Sequence, residues 1–284
     1  MRTRSWGRWG LRRSLVVAAL TLAMPVVGWG QIVPVRYFTG AGDGYELQHQ
    51  WLSPKTTSYS ASLPSTSYWS LDEASGTRID ATSAHDLAPT STPPGVASVV
   101  SNGASFTTDQ LLSVAHHADL QGGDVDLSVA FWTTPTLDTP TIDQYVLMGI
   151  YEEWKVYISG FGSLTNYFRF GWWNSDGTFI STPASPLVVY GIPHYVIAWR
   201  DSTAQTINIQ VDFGPVYSRS STGGGQITAE PFGIGGTPGG THPGQFFEGV
   251  MDEVYLYRGL WTAEQKLASM VVELTYRRSL AALP

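Results

Sequence analysis

The 284-residue chain has no cysteine, which excludes disulfides, thiolate metal sites and cysteine nucleophiles. Charge is scarce at 14% of residues, and Lys55, Lys155 and Lys266 are the whole lysine set. A chain with net charge −7 and so few lysines lacks the basic footprint that nucleic acid requires, and an anionic membrane would repel it. No apolar run reaches the ~20 residues of a spanning helix. No helical pattern alternates with strand patterns, which argues against a βαβ sheet. No histidine spacing matches a zinc motif. His49, His85, His194 and His242 stand singly and His116-His117 are adjacent, so all six read as surface or loop residues.

Catalytic carboxylate patterns are lacking as well. Retaining hydrolysis of glycosides needs two carboxyl groups roughly 5–5.5 Å apart, hence at even spacing on one strand face. Glu152-Glu153 and Asp252-Glu253 are adjacent and point to opposite faces, while Asp124-Val125-Asp126 has the right parity but only two members beside a Gly-Gly turn. A glycan hydrolase is therefore the weakest of the functional readings, and no catalytic residue is assigned. The cluster Gly233-Ile234-Gly235-Gly236 with Gly239-Gly240 has no following helix, so it reads as a mobile loop and not as a phosphate cradle.

What is present suits an all-β protein. Hydrophobic residues make up 43%, enough for a sizeable core, and Gly 30 with Pro 17 supplies many turns. Arg2, Arg4, Arg8, Arg12 and Arg13 precede the uncharged stretch Leu15 to Val27, and Gly28-Trp29-Gly30 offers small residues for cleavage before Gln31. Residues 1–30 thus read as an export signal, and Arg12-Arg13 fits a loose twin-arginine pattern. The alternative, a retained anchor, is disfavoured by Pro25 and by the shortness of the run. Removing 1–30 leaves 11 basic against 23 acidic residues, a net of −12. Residues 31–67 are polar and turn-rich and read as an extended tail or linker, with a short strand near Val33–Phe38.

From residue 68 to 284 a single sandwich is expected. Period-two runs predict strands near Tyr68–Leu71, Ala104–Thr107, Leu111–Val114, Asp126–Thr133, Gln144–Tyr151, Trp154–Ser159, Tyr167–Trp173, Phe179–Thr182, His194–Arg200, Thr206–Asp212, Glu230–Ile234 and Gly244–Tyr257. Thr262-Ala263-Glu264-Gln265 has the spacing of a capping box, and Leu267, Met270, Val271 and Leu274 follow on one helical face, which predicts one C-terminal helix.

Three segments resemble the concanavalin A-like lectin/glucanase superfamily in its bacterial laminin-G-like branch. They are Tyr68-Trp69-Ser70-Leu71-Asp72 with the following Asp80, the run Leu127-Ser128-Val129-Ala130-Phe131-Trp132, and Gly249-Val250-Met251-Asp252-Glu253-Val254-Tyr255-Leu256-Tyr257 leading to Thr262-Ala263-Glu264-Gln265. The resemblance implies a two-sheet antiparallel jelly-roll sandwich. Two loops depart from the family pattern, at Phe106-Thr107-Thr108-Asp109 and Ser83-Ala84-His85. In relatives these loops can carry a structural calcium, and the resemblance implies Asp80 and Asp252 as its side-chain ligands if one is bound. Alternation along the closing strand puts Val250, Asp252 and Val254 on one face and Met251, Glu253 and Tyr255 on the other. Asp252 then needs either backbone donors or a cation among its apolar neighbours.

The aromatics carry the functional expectation. Along Tyr167–Trp173, alternation sends Phe168, Phe170 and Trp172 into the core and leaves Tyr167, Arg169 and Trp173, which have polar handles, on an outer concave face. Such a face can stack on a sugar ring while Arg169 bonds its hydroxyls; the other reading is that another chain or the N-terminal segment covers it. The expected function is a secreted, non-catalytic recognition or adhesion module for carbohydrate or a surface protein. The rival expectation is a self-assembling structural subunit of a filament, sheath or virion appendage.

Overall fold

The computed structural model describes residues 64–266, apart from 83–84, 108, 137–143, 160–165, 185–186 and 240–244. The expected signal segment, the tail up to residue 63, and Leu267, Met270, Val271 and Leu274 lie outside the described residues.

Fifteen strands are described: β1 (Ser67–Trp69), β2 (Ala88–Pro89), β3 (Gly95–Ala97), β4 (Asn102–Phe106), β5 (Leu112–Val114), β6 (Leu127–Pro135), β7 (Gln144–Ile150), β8 (Trp154–Ser159), β9 (Tyr167–Trp173), β10 (Phe179–Ser181), β11 (His194–Asp201), β12 (Thr206–Val211), β13 (Tyr217–Ser220), β14 (Phe232–Ile234) and β15 (Gly249–Tyr257). The first sheet runs β13-β12-β11-β6-β15-β4-β3, with β1 also paired to β15, and the second runs β10-β9-β8-β7-β14-β5-β2. The expected two-sheet antiparallel sandwich is what the chain forms.

Period-two alternation builds the core. Leu127, Val129 and Phe131 of β6 and Val196 and Ala198 of β11 face inward from the first sheet. Trp154, Val156 and Ile158 of β8 and Phe168, Phe170 and Trp172 of β9 meet them from the second. Each fully buried side chain of this kind contributes roughly 1.5–3 kcal/mol. The intervening residues of the first sheet, among them Ala130, Trp132, Tyr195 and Ile197, form a second cluster with Tyr255 and Trp261 on its outer face. At one end of the core Arg200 is buried, 5.1 Å over the Trp172 ring, with NH2 3.0 Å from Asp124 Oδ1.

The closing strand departs from simple alternation. Its pairing with β6 shifts register between Asp252 and Tyr255, and Glu253 there has φ 51°. This bulge adds a residue, so Met251 and Val254 both enter the core while Tyr255 joins the outer cluster. The expected grouping of Asp252 with Val254 is thereby corrected. The glycine cluster is corrected too: Gly233 lies within β14 between β7 and β5, and Gly233 to Gly236 are buried.

The sandwich draws in residues expected of the tail, since the Thr66 amide donates to Leu256 O and the Trp261 indole to Pro64 O. The capping box forms reciprocally: Thr262 N donates to Gln265 Oε1 at 2.8 Å and Gln265 N to Thr262 Oγ1 at 3.2 Å, opening a helix at residues 263–266. Among the described residues no helix is long and apolar enough to cross a membrane.

Candidate functional site

Three consecutive strands, β8, β9 and β10, present one outer face of the second sheet. Their registers align Lys155 with Gly171, Tyr157 with Arg169, Ser159 with Tyr167, Trp173 with Phe179 and Gly171 with Ser181. Since Trp154, Phe170 and Trp172 point into the core, these residues point away from it. A turn at Asn174-Ser175-Asp176-Gly177 returns the chain: Gly177 adopts φ 81°, its amide donates to Asn174 O, and Asp176 Oδ1 accepts from Thr178 N.

Lys155 is the centre of this face. Its Nζ stands 5.2 Å from the Tyr157 ring, 5.2 Å from Trp173 and 5.3 Å from Phe179. Trp173 and Phe179 have ring centroids 4.3 Å apart. Burial pushes the ammonium down to about 8 and no carboxylate among the described residues holds it up, while the ring faces themselves favour a cation. Burial raises the Tyr157 phenol, opposed by a hydrogen bond with Ser181 and by Arg169 and Arg219. Beyond this cage Arg169 is fixed by Nε donating to Ser159 Oγ at 2.8 Å and NH1 donating to Thr182 O at 2.9 Å.

Tyr167, Arg169 and Trp173 therefore share the outer face, as alternation predicts. Trp173 is half-buried against Phe179 on this face, and Gly171 separates it from Arg169. Lys155, Tyr157 and Phe179 were not anticipated. Lys155 in an otherwise apolar strand was the available signal, because alternation from Trp154 puts it outward beside Tyr157.

Several other carboxylates among the described residues accept hydrogen bonds that fasten the fold. Glu153 is buried and accepts from Gly122 N, Thr228 N and Thr228 Oγ1. Asp126 Oδ1 accepts from Ser202 N and Oγ. Asp80 Oδ1 accepts from Tyr68 N, Thr82 N and Thr82 Oγ1. Asp252 Oδ2 accepts from Val100 N at 2.8 Å, its Oδ1 is a buried acceptor with no hydrogen bond, and burial pushes its pKa up to about 8. Glu253 Oε2 accepts from the Tyr68 and Tyr255 hydroxyls.

Histidines reach positions that their sequence spacing does not suggest. His194 is buried on β11, with Nδ1 2.7 Å from Asp212 Oδ2. His85 is also buried and meets the exposed His117, and with Asp119 these form the group of potential metal-binding side chains found among the described residues. The surface or loop reading of the histidines is corrected for His194, which is buried on a strand, and for His85, whose loop folds against the segment carrying His117; His116 and His117 are exposed as expected, and His49 and His242 lie outside the described residues. Asp80 and Asp252 are not members of that group.

A family model described as the concanavalin A-like lectin/glucanases superfamily matches residues 106–265, more than half of the chain. The chain belongs to this superfamily. Solved structures share the fold at low identity. Domain 4 of AbnA, an extracellular arabinanase from Geobacillus stearothermophilus solved with arabinotriose, is 15% identical with TM-score 0.55, the match covering 73% of this chain and 98% of that one. The binding domain of Paraclostridial Mosquitocidal Protein 1 is 13% identical with TM-score 0.56, covering 74% of this chain and 52% of that one. No curated protein sequence matches the chain.

Proposed function

We propose that the chain is a secreted, non-catalytic recognition module that binds carbohydrate on the outer face formed by β8, β9 and β10. The observation that carries this reading is the ammonium of Lys155 set among Tyr157, Trp173 and Phe179, with no carboxylate among the described residues acting on it. The half-buried Trp173 and Phe179 rings offer area to the apolar side of a sugar, and the ammonium of the buried Lys155 beneath them donates to its hydroxyls or carboxylate. Arg169, held by Ser159 and Thr182, adds a second donor on the same strand. The basic start and short apolar run of residues 1–30 support export. The arabinotriose bound to the similarly folded arabinanase domain supports a sugar as ligand. Screening the mature chain on a glycan array tests the reading. Binding to a defined set of glycans is expected, and an array without any signal would count against it.

A further inference from the structure

Two segments distant in sequence meet near the start of β1. One is the loop closed by the bridge between Arg78 and Leu87, which carries His85. The other follows β5 and carries His117 and Asp119. The potential ligand atoms of these three residues all lie within 4.8 Å of one another. The two imidazole rings have centroids 4.3 Å apart and are tilted by 56°. His117 Nδ1 accepts from the Asp119 amide at 3.2 Å and lies 3.4 Å from Asp119 Oδ2, which holds this ring and the carboxylate side by side.

The setting of His85 is a separate observation. Its ring is buried, and Nδ1 stands 2.8 Å from Ser67 Oγ and 3.5 Å from Asp80 Oδ2. Asp80 is in turn immobilised by the amides of Tyr68 and Thr82 and by the Thr82 hydroxyl. Metal-binding histidines use this arrangement, one ring nitrogen held by a hydroxyl or carboxylate so that the other is presented to the ion. His117 and Asp119 have side chains 49% and 53% exposed, so an ion reaches the group from solvent.

We propose that His85, His117 and Asp119 bind one divalent transition-metal ion of the zinc class, with the fourth position taken by water or a ligand donor. Two imidazoles and one carboxylate suit zinc or its neighbours, whereas calcium takes six to eight oxygens. The ion fastens the loop bonded to β1 of the first sheet onto the segment leaving β5 of the second. It therefore acts as a clip between the two sheets.

The test is calorimetric titration and thermal unfolding of the full chain, without a histidine tag, with zinc chloride alone. One ion per chain is expected, with Tm rising by roughly 5–10 °C when free zinc is a hundredfold above its Kd. Calcium should not reproduce the rise. His117→Ala and Asp119→Ala alter exposed side chains and should leave the metal-free Tm unchanged while abolishing the zinc response. His116→Ala should retain it. An absence of zinc binding by the parent chain, binding that survives both substitutions, or an equal loss with His116→Ala would overturn the assignment.

Discussion

Phe179 lies across Gly171: a Cβ on that glycine would stand 2.6 Å from both Cε2 and Cζ of the ring. The missing side chain lets the β10 aromatic close over β9 and complete the surroundings of Lys155. Gly171→Ala should push Phe179 aside at a cost of about 1–3 kcal/mol in unfolding free energy and weaken ligand binding. Denaturant unfolding paired with binding measurements checks both effects.

Trp172 and Trp173 separate core from face within one dipeptide. Trp172 is fully buried, and Trp172→Ala should cost about 3–5 kcal/mol. Trp173 is half-buried, and Trp173→Ala should cost on the order of 1–2 kcal/mol, since it leaves no sealed cavity. Equal losses in chemical denaturation would mean that the outer face is part of the structural core.

Much of the sandwich was legible because period two is a strong local signal. Trp154–Ser159 and Tyr167–Trp173 form at their expected bounds, and the inward set Phe168, Phe170 and Trp172 follows from alternation. The strands β2, β3 and β13 were not foreseen: two to four residues carrying Pro89, Gly95 or a run of polar groups show no period. On β15 the bulge at Glu253 broke the parity on which the face assignment rested. Arg169 and Trp173 were legible from one strand, but the cage around Lys155 needed the registers of three. The approach of His85 to His117 depends on tertiary contact between loops, which spacing along the chain does not report.

Asp252 predicts a pH dependence. Its carboxyl ordinarily titrates at 3.8, and burial, the largest cause, raises it to about 8 in the folded chain. Below pH 4 the group is protonated in both states and its contribution to stability is fully present. As pH rises from 4 to 8 the unfolded chain ionises while the folded chain keeps the proton, so stability falls by on the order of a few kcal/mol. Asp252→Asn should flatten that slope and be more stable than the parent at pH 8.

Export with cleavage near Gly30 predicts that protein recovered from the medium starts at Gln31 or within a few residues of it. Intact-mass measurement decides, and recovery of a chain starting at Met1 would contradict export processing.

The most direct measurement is titration of a glycan identified on the array into the parent chain, Lys155→Met and Trp173→Ala, each first shown to be folded by its unfolding transition. If the β8–β10 face is the binding site, both substitutions should weaken binding by at least about tenfold, equivalent to about 1.4 kcal/mol each. Unchanged affinity in both folded variants would place the ligand elsewhere on the sandwich and contradict the account.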